Sequence, residues 1–214
     1  MSDYKVLAFI GQHIGEDIVW LRATQNYNSV YPNDNIHFHT MTNRSASGIA
    51  WNLGYAYNYG AEDDDQISEI EQVVEQIRPE LVLDLHTEQF RDYNKPSSIY
   101  VIPSAIGPIE ELIKNCPNYN SIAMTTNETT TLGWGMQRFP EIKSYVIEFC
   151  FGGLEPTEDN IRVIRNNYKR NERAQKDIEA FRKQIFEHPE FENDVITARD
   201  FIHFLYELNN PNKA

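Results

Sequence analysis

Two nearly uninterrupted apolar runs constrain this chain more than any other feature: "YKVLAFI" (Tyr4–Ile10) and "ELVLDL" (Glu80–Leu85). A strand that is apolar on both faces has to be covered on both faces, which is the situation of parallel sheets with crossover helices. The segments between and after them fit that arrangement. Glu16–Tyr27 opens with acidic residues and carries Ile18, Val19 and Leu21 at helical spacing, and Asn35–Met41 alternates as a strand does. Asp65–Pro79 sets Ile67, Ile70, Val73, Val74 and Ile77 on one helical face. Further strands are expected at Ser97–Pro103, Asn120–Thr126 and Lys143–Phe151. The repeated β-α-β order predicts an α/β fold with a mostly parallel mixed sheet flanked by helices.

From Pro156 to about Asn210 the apolar residues fall at helical spacing, and Thr197 in "TARDFIHFLYEL" is a candidate N-cap. The chain therefore reads as one domain over residues 1–214, with an α/β core at 1–155 and a helical C-terminal segment at 156–214. Its 214 residues, 41% of them hydrophobic, suffice for one core. A formal charge of −13 and the absence of a Lys/Arg run argue against nucleic acid as a partner. The same charge repels anionic substrates at long range, so a carboxylate-bearing substrate would need arginines close by. No apolar run reaches the roughly 18 residues of a membrane span. Cys116 and Cys150 show no CxxC spacing and read as small hydrophobes, and the N-terminal stretch lacks a signal-peptide layout, so the expected compartment is the cytoplasm. Gly60–Gln66 reads as a solvated helix start, and a homo-oligomer is left open.

The chemistry-bearing residues gather where strands end. His13 and Glu16 follow the first apolar run, three residues apart in "GQHIGED", and His86 closes "LVLDLH". Two imidazoles and one carboxylate are a known open ligand set for zinc, leaving a position for water. Asp84 shares a strand face with His86 and is placed to orient a ligand. Glu148 stands among Val146, Ile147, Phe149 and Phe151, where a carboxylate is costly unless it is used. His37 and His39 read as surface residues of a strand, and His188 and His203 as tail residues without partners.

"GQHIGED", "LDLHT" and "YVIEFCFGG", taken in order, resemble the G-x-H-x-x-E, D-L-H and V-E pattern of the zinc carboxypeptidase-like superfamily, especially its succinylglutamate desuccinylase/aspartoacylase branch, over Tyr4 to about Gly153. The resemblance implies one zinc per chain held by His13, Glu16 and His86, with Glu148 as general base. It further implies hydrolysis of an amide bond in a small N-acyl amino acid or short peptide. A peptide carboxypeptidase, or a metal-binding domain of the same fold without turnover, are the alternatives. Family members grip a substrate carboxylate with an Asn-Arg pair and further arginines. Asn43 and Arg44 are the Asn-Arg pair here, although Asn43 can also match an Asn-Pro of the desuccinylase branch, which would set Asn58 and Tyr59 in the Asn-Arg position. Arg138, ten residues before Glu148, matches an aspartoacylase-type carboxylate-binding arginine.

Overall fold

The computed structural model describes residues 4–12, 18–43, 63–88, 98–105, 122–124, 131–150, 183, 186–187 and 189–210. Within them the elements are β1 (Val6–Ile10), α1 (Ile18–Gln25), α2 (Tyr27–Val30), β2 (Ile36–Thr40), α3 (Asp63–Ile77), β3 (Leu81–Glu88), β4 (Ser98–Ala105), β5 (Ile122–Met124), α4 (Thr131–Met136), β6 (Lys143–Cys150) and α5 (Phe191–Leu208). The strands form one sheet in the order β2-β1-β3-β6-β4-β5. β2, β1, β3 and β6 run parallel; β4 is antiparallel to β6, and β5 is parallel to β4. This is the mostly parallel mixed sheet that the apolar runs require.

Strand periodicity divides the core in two. Val6, Ala8, Ile10, Leu81, Leu83, Leu85, Tyr145, Ile147 and Phe149 pack with Val19, Trp20 and Ala23 of α1 and with Val195, Ala198, Phe201 and Leu205 of α5. Leu7, Phe9, Val82 and Val146 pack on the other face with Ile70, Val74 and Ile77 of α3 and Leu132 and Met136 of α4. All five residues of β1 are buried, which explains why its sequence shows no polar face.

Chain direction explains the helix placement. From β1 the chain moves outward to β2, then back across β1 to β3, so crossovers of one hand put α1 and α3 on opposite faces. Gly11 leaves β1 at φ 77, a backbone that favours glycine, and Met41 N–H donates to the Ile10 carbonyl as β2 ends beside it. At the far end of α3, Arg78 takes φ 53 and Pro79 follows, which stops the helix before β3.

Two sequence expectations change in detail. The helix expected at Glu16–Tyr27 is α1 followed by the single turn α2, with Asn26 between them at φ −115 and ψ 12. The last helix begins at Phe191, so Thr197 lies inside it and is no cap. Its buried side continues back through Val195 to Phe191, and that packing sets the start. Residues 156–182 of the expected helical segment lie outside the described residues.

Candidate functional site

His86 lies where β3 outlasts β1. The β1–β3 pairing ends at Ile10 opposite Leu85, whereas β6 accompanies β3 onward through Cys150. Beyond Leu85 the β1 side of β3 has no strand partner among the described residues, and the His86 carbonyl accepts a 2.6 Å hydrogen bond from Trp20 Nε1 of α1. Trp20 is fully buried and stands edge-on to Phe149, with ring centroids 6.0 Å apart.

Alternation from Val82 puts Asp84 and His86 on the α3/α4 face, and alternation from Val146 puts Glu148 there too. His86 and Glu148 are register partners across β3 and β6, so their backbones are about 4.8 Å apart on one face. His86 Nε2 lies 2.8 Å from Asp84 Oδ2, with both side chains almost wholly buried. This contact orients the imidazole ring. Asp84 Oδ1 is buried without a hydrogen-bond partner. A buried carboxylate orienting a histidine beside a second, partly exposed carboxylate offers one imidazole ligand and an adjacent base. His13, Glu16 and Arg44 lie outside the described residues, and among the described residues no three His, Cys, Asp or Glu side chains form a metal-binding group.

Location adds to this. The chain reverses its direction across the sheet between β1 and β3, and the crevice beyond the carboxyl ends of two such strands is the usual ligand position in open α/β sheets. Asn43 reaches the same edge: its carbonyl and that of Gln12, just past β1, both accept from Gln66 Nε2, at 3.2 and 2.7 Å. Its own Nδ2 contacts the Asp65 carbonyl at 3.5 Å.

Arg138 is placed elsewhere. It precedes Lys143, the first residue of β6, and pairs with Glu71 at 2.6 Å; its guanidinium lies 5.9 Å from the Phe139 ring centroid, and that of Arg78, the residue that leads toward β3, lies 5.5 Å from the same ring. At about 3.3 Å per residue, roughly 17 Å of strand separates Lys143 from Glu148. Arg138 thus stands at the amino edge of the sheet, apart from His86 and Glu148. Glu71 also holds its guanidinium above the ordinary arginine pKa.

Two histidines set aside on sequence have partners. His39 Nε2 is 2.8 Å from Glu69 Oε1, and Glu69 also accepts from the backbone N–H groups of Thr42 and Asn43. Burial would raise the Glu69 carboxyl, but those three bonds outweigh it and hold its pKa below the ordinary glutamate range. Burial, then His39, lowers the pKa of His37. His203 Nδ1 lies 2.8 Å from Asp34 Oδ2 and its ring stacks on Tyr31 at 3.8 Å, joining α5 to the approach to β2. His188 lies outside the described residues.

Sequence reasoning passed over Trp20 and Gln66. Gln66 had a signal: it occupies the first position of the buried stripe that continues through Ile70, Val74 and Ile77, and a polar residue there needs a reason.

No family model matches this chain, and no curated protein does. Among solved structures it is similar to N-acetylmuramoyl-L-alanine amidase from Clostridium difficile 630, at 8% identity over 98% of both chains with a TM-score of 0.44. PbaA from Pyrococcus furiosus, an archaeal homolog of proteasome-assembly chaperone, is similar at 11% identity over 99% of this chain and 96% of that one, with a TM-score of 0.46. Murine aminoacylase 3 is similar at 16% identity over 84% of this chain and 66% of that one, with a TM-score of 0.38. Because their names span hydrolases and an assembly-chaperone homolog, the functional reading rests on the side chains described above.

Proposed function

We propose that the protein is a zinc-dependent hydrolase of an amide bond in a small N-acyl amino acid or short peptide. The observation that carries this reading is the His86–Asp84 contact in register with Glu148 at the carboxyl edge of β3 and β6. In this reading His86 is a ligand, and His13 and Glu16, three residues apart in the segment that follows β1, complete the set. Bound zinc would polarise the scissile carbonyl and let water lose its proton near neutral pH. Asp84 holds the imidazole of His86 in its ligating orientation. Glu148 accepts the proton from the attacking water and delivers it to the leaving amine. Arg44, which directly follows Asn43 in sequence, is assigned the substrate carboxylate, since Arg138 belongs to the opposite edge.

Elemental analysis of purified wild type and His86→Ala, with turnover of a panel of N-acyl amino acids by wild type and Glu148→Gln, tests the reading. The expected result is about one zinc per wild-type chain and loss of most of it in His86→Ala. Glu148→Gln should keep zinc and lose at least ~100-fold in kcat. Unchanged zinc in His86→Ala would refute the ligand, and near-normal turnover by Glu148→Gln would refute the base.

A further inference from the structure

Gln66 is fully buried in α3, and a single nitrogen of its side chain reaches two backbone segments that sequence keeps apart. Nε2 donates to the carbonyl of Gln12, just past β1, and to that of Asn43, just past β2. Two carbonyls can only be met by the NH2 end, so the amide orientation is determined by its partners. Its Oε1, and Nε2 of Gln12, are buried without hydrogen-bond partners. Three residues along α3, Glu69 accepts from Thr42 and Asn43, so the 42–43 turn is tied to the helix at both its N–H and its carbonyl groups, and Gln66 adds a side-chain bridge from that turn to Gln12, beyond the backbone bond from Met41 N–H to the Ile10 carbonyl that joins the two strand ends. An amide on an otherwise apolar stripe costs stability unless its bonds are made, and here they are spent on these two turns.

We propose that Gln66 is a positioning residue that locks the β1 and β2 exits to each other, so that the segments entering His13 and Arg44 hold one fixed relation. The coupling is independent of the metal; its consequence for the site rests on the zinc reading above. Gln66→Met fills nearly the same volume and lacks both donors, and Gln66→Asn, one methylene shorter, reaches at most one carbonyl.

The test is backbone amide exchange in both variants together with zinc affinity by chelator competition. Exchange in peptides spanning Gln12 and spanning Asn43 should quicken together by about fivefold or more, while β3 amides keep their protection. Zinc should bind about tenfold or more weakly, as expected when a group supporting the ligands is lost. Quickening at one exit only, or at neither, would overturn the coupling, and Gln66→Asn decides this if Gln66→Met does not fold. Looser exits with unchanged zinc affinity would overturn the positioning role. A wild type that binds no zinc would instead overturn the zinc reading, with the exchange result still deciding the coupling.

Discussion

Trp20→Phe isolates one hydrogen bond at the place where β3 runs past β1. The substitution keeps an aromatic ring against Phe149 but removes the Nε1 donor, which lies 2.6 Å from the His86 carbonyl. That bond is buried, so the carbonyl loses its tryptophan donor where water cannot readily replace it, at a cost of about 1–3 kcal/mol. The smaller ring leaves part of the fully buried Trp20 site empty and adds about 1 kcal/mol. Together these predict a loss of about 2–4 kcal/mol, or roughly 5–15 °C in Tm for a domain of this size. Urea unfolding followed by fluorescence is the assay, since two of the three tryptophans remain, and the m-value should not change. Phe149→Leu, which retains the Trp20 donor, is the control for loss of ring packing alone. If Trp20→Phe cost less than about 0.5 kcal/mol at constant m, the bond would not be what secures His86 to α1.

Gly135→Ala should destabilise by about 1–3 kcal/mol in the same assay, because the added Cβ would meet Ile70 Cγ2 at 2.7 Å and Cβ at 3.1 Å, and a buried β-branched side chain in a helix is stiff at χ1. A stabilised variant, as helix propensity alone would give, would refute that close approach. On the proposed zinc reading, Asp84→Asn should weaken zinc binding by about 10–100-fold while leaving the protein folded, and unchanged affinity would show that the Asp84–His86 contact does not support a ligand. Because the folded pKa of Glu69 is depressed, its contribution is present above the ordinary glutamate value of 4.5 and is lost as pH falls through the folded value. Wild type should therefore exceed Glu69→Gln in stability at neutral pH, with the gap closing below about pH 4.5; a constant gap from pH 7 to pH 3 would remove the carboxylate from the account.

What could be read from sequence was whatever follows from the period and direction of a strand. The two-residue period places Asp84 and His86 on one face of their strand without any knowledge of the helices, whereas Glu148 joins that face only through the pairing of β3 with β6. Contacts made across long separations had no such rule: His203 meets Asp34 across 169 residues and Trp20 meets the His86 carbonyl across 66, and neither partner is marked by its neighbours in the chain. The helix start at Phe191 was missed for a related reason, since tertiary burial of Phe191 and Val195 outweighs the capping preference of Thr197. Arg138 is different, because strand direction did contain the answer. In a parallel strand whose last residues reach the site, everything just before the strand belongs to the opposite edge, and Arg138 lies five residues ahead of Lys143. Counting residues back from Glu148 by family spacing ignored the intervening strand length of roughly 17 Å. The geometry that brings Glu148 beside His86 is the same geometry that keeps Arg138 away from both.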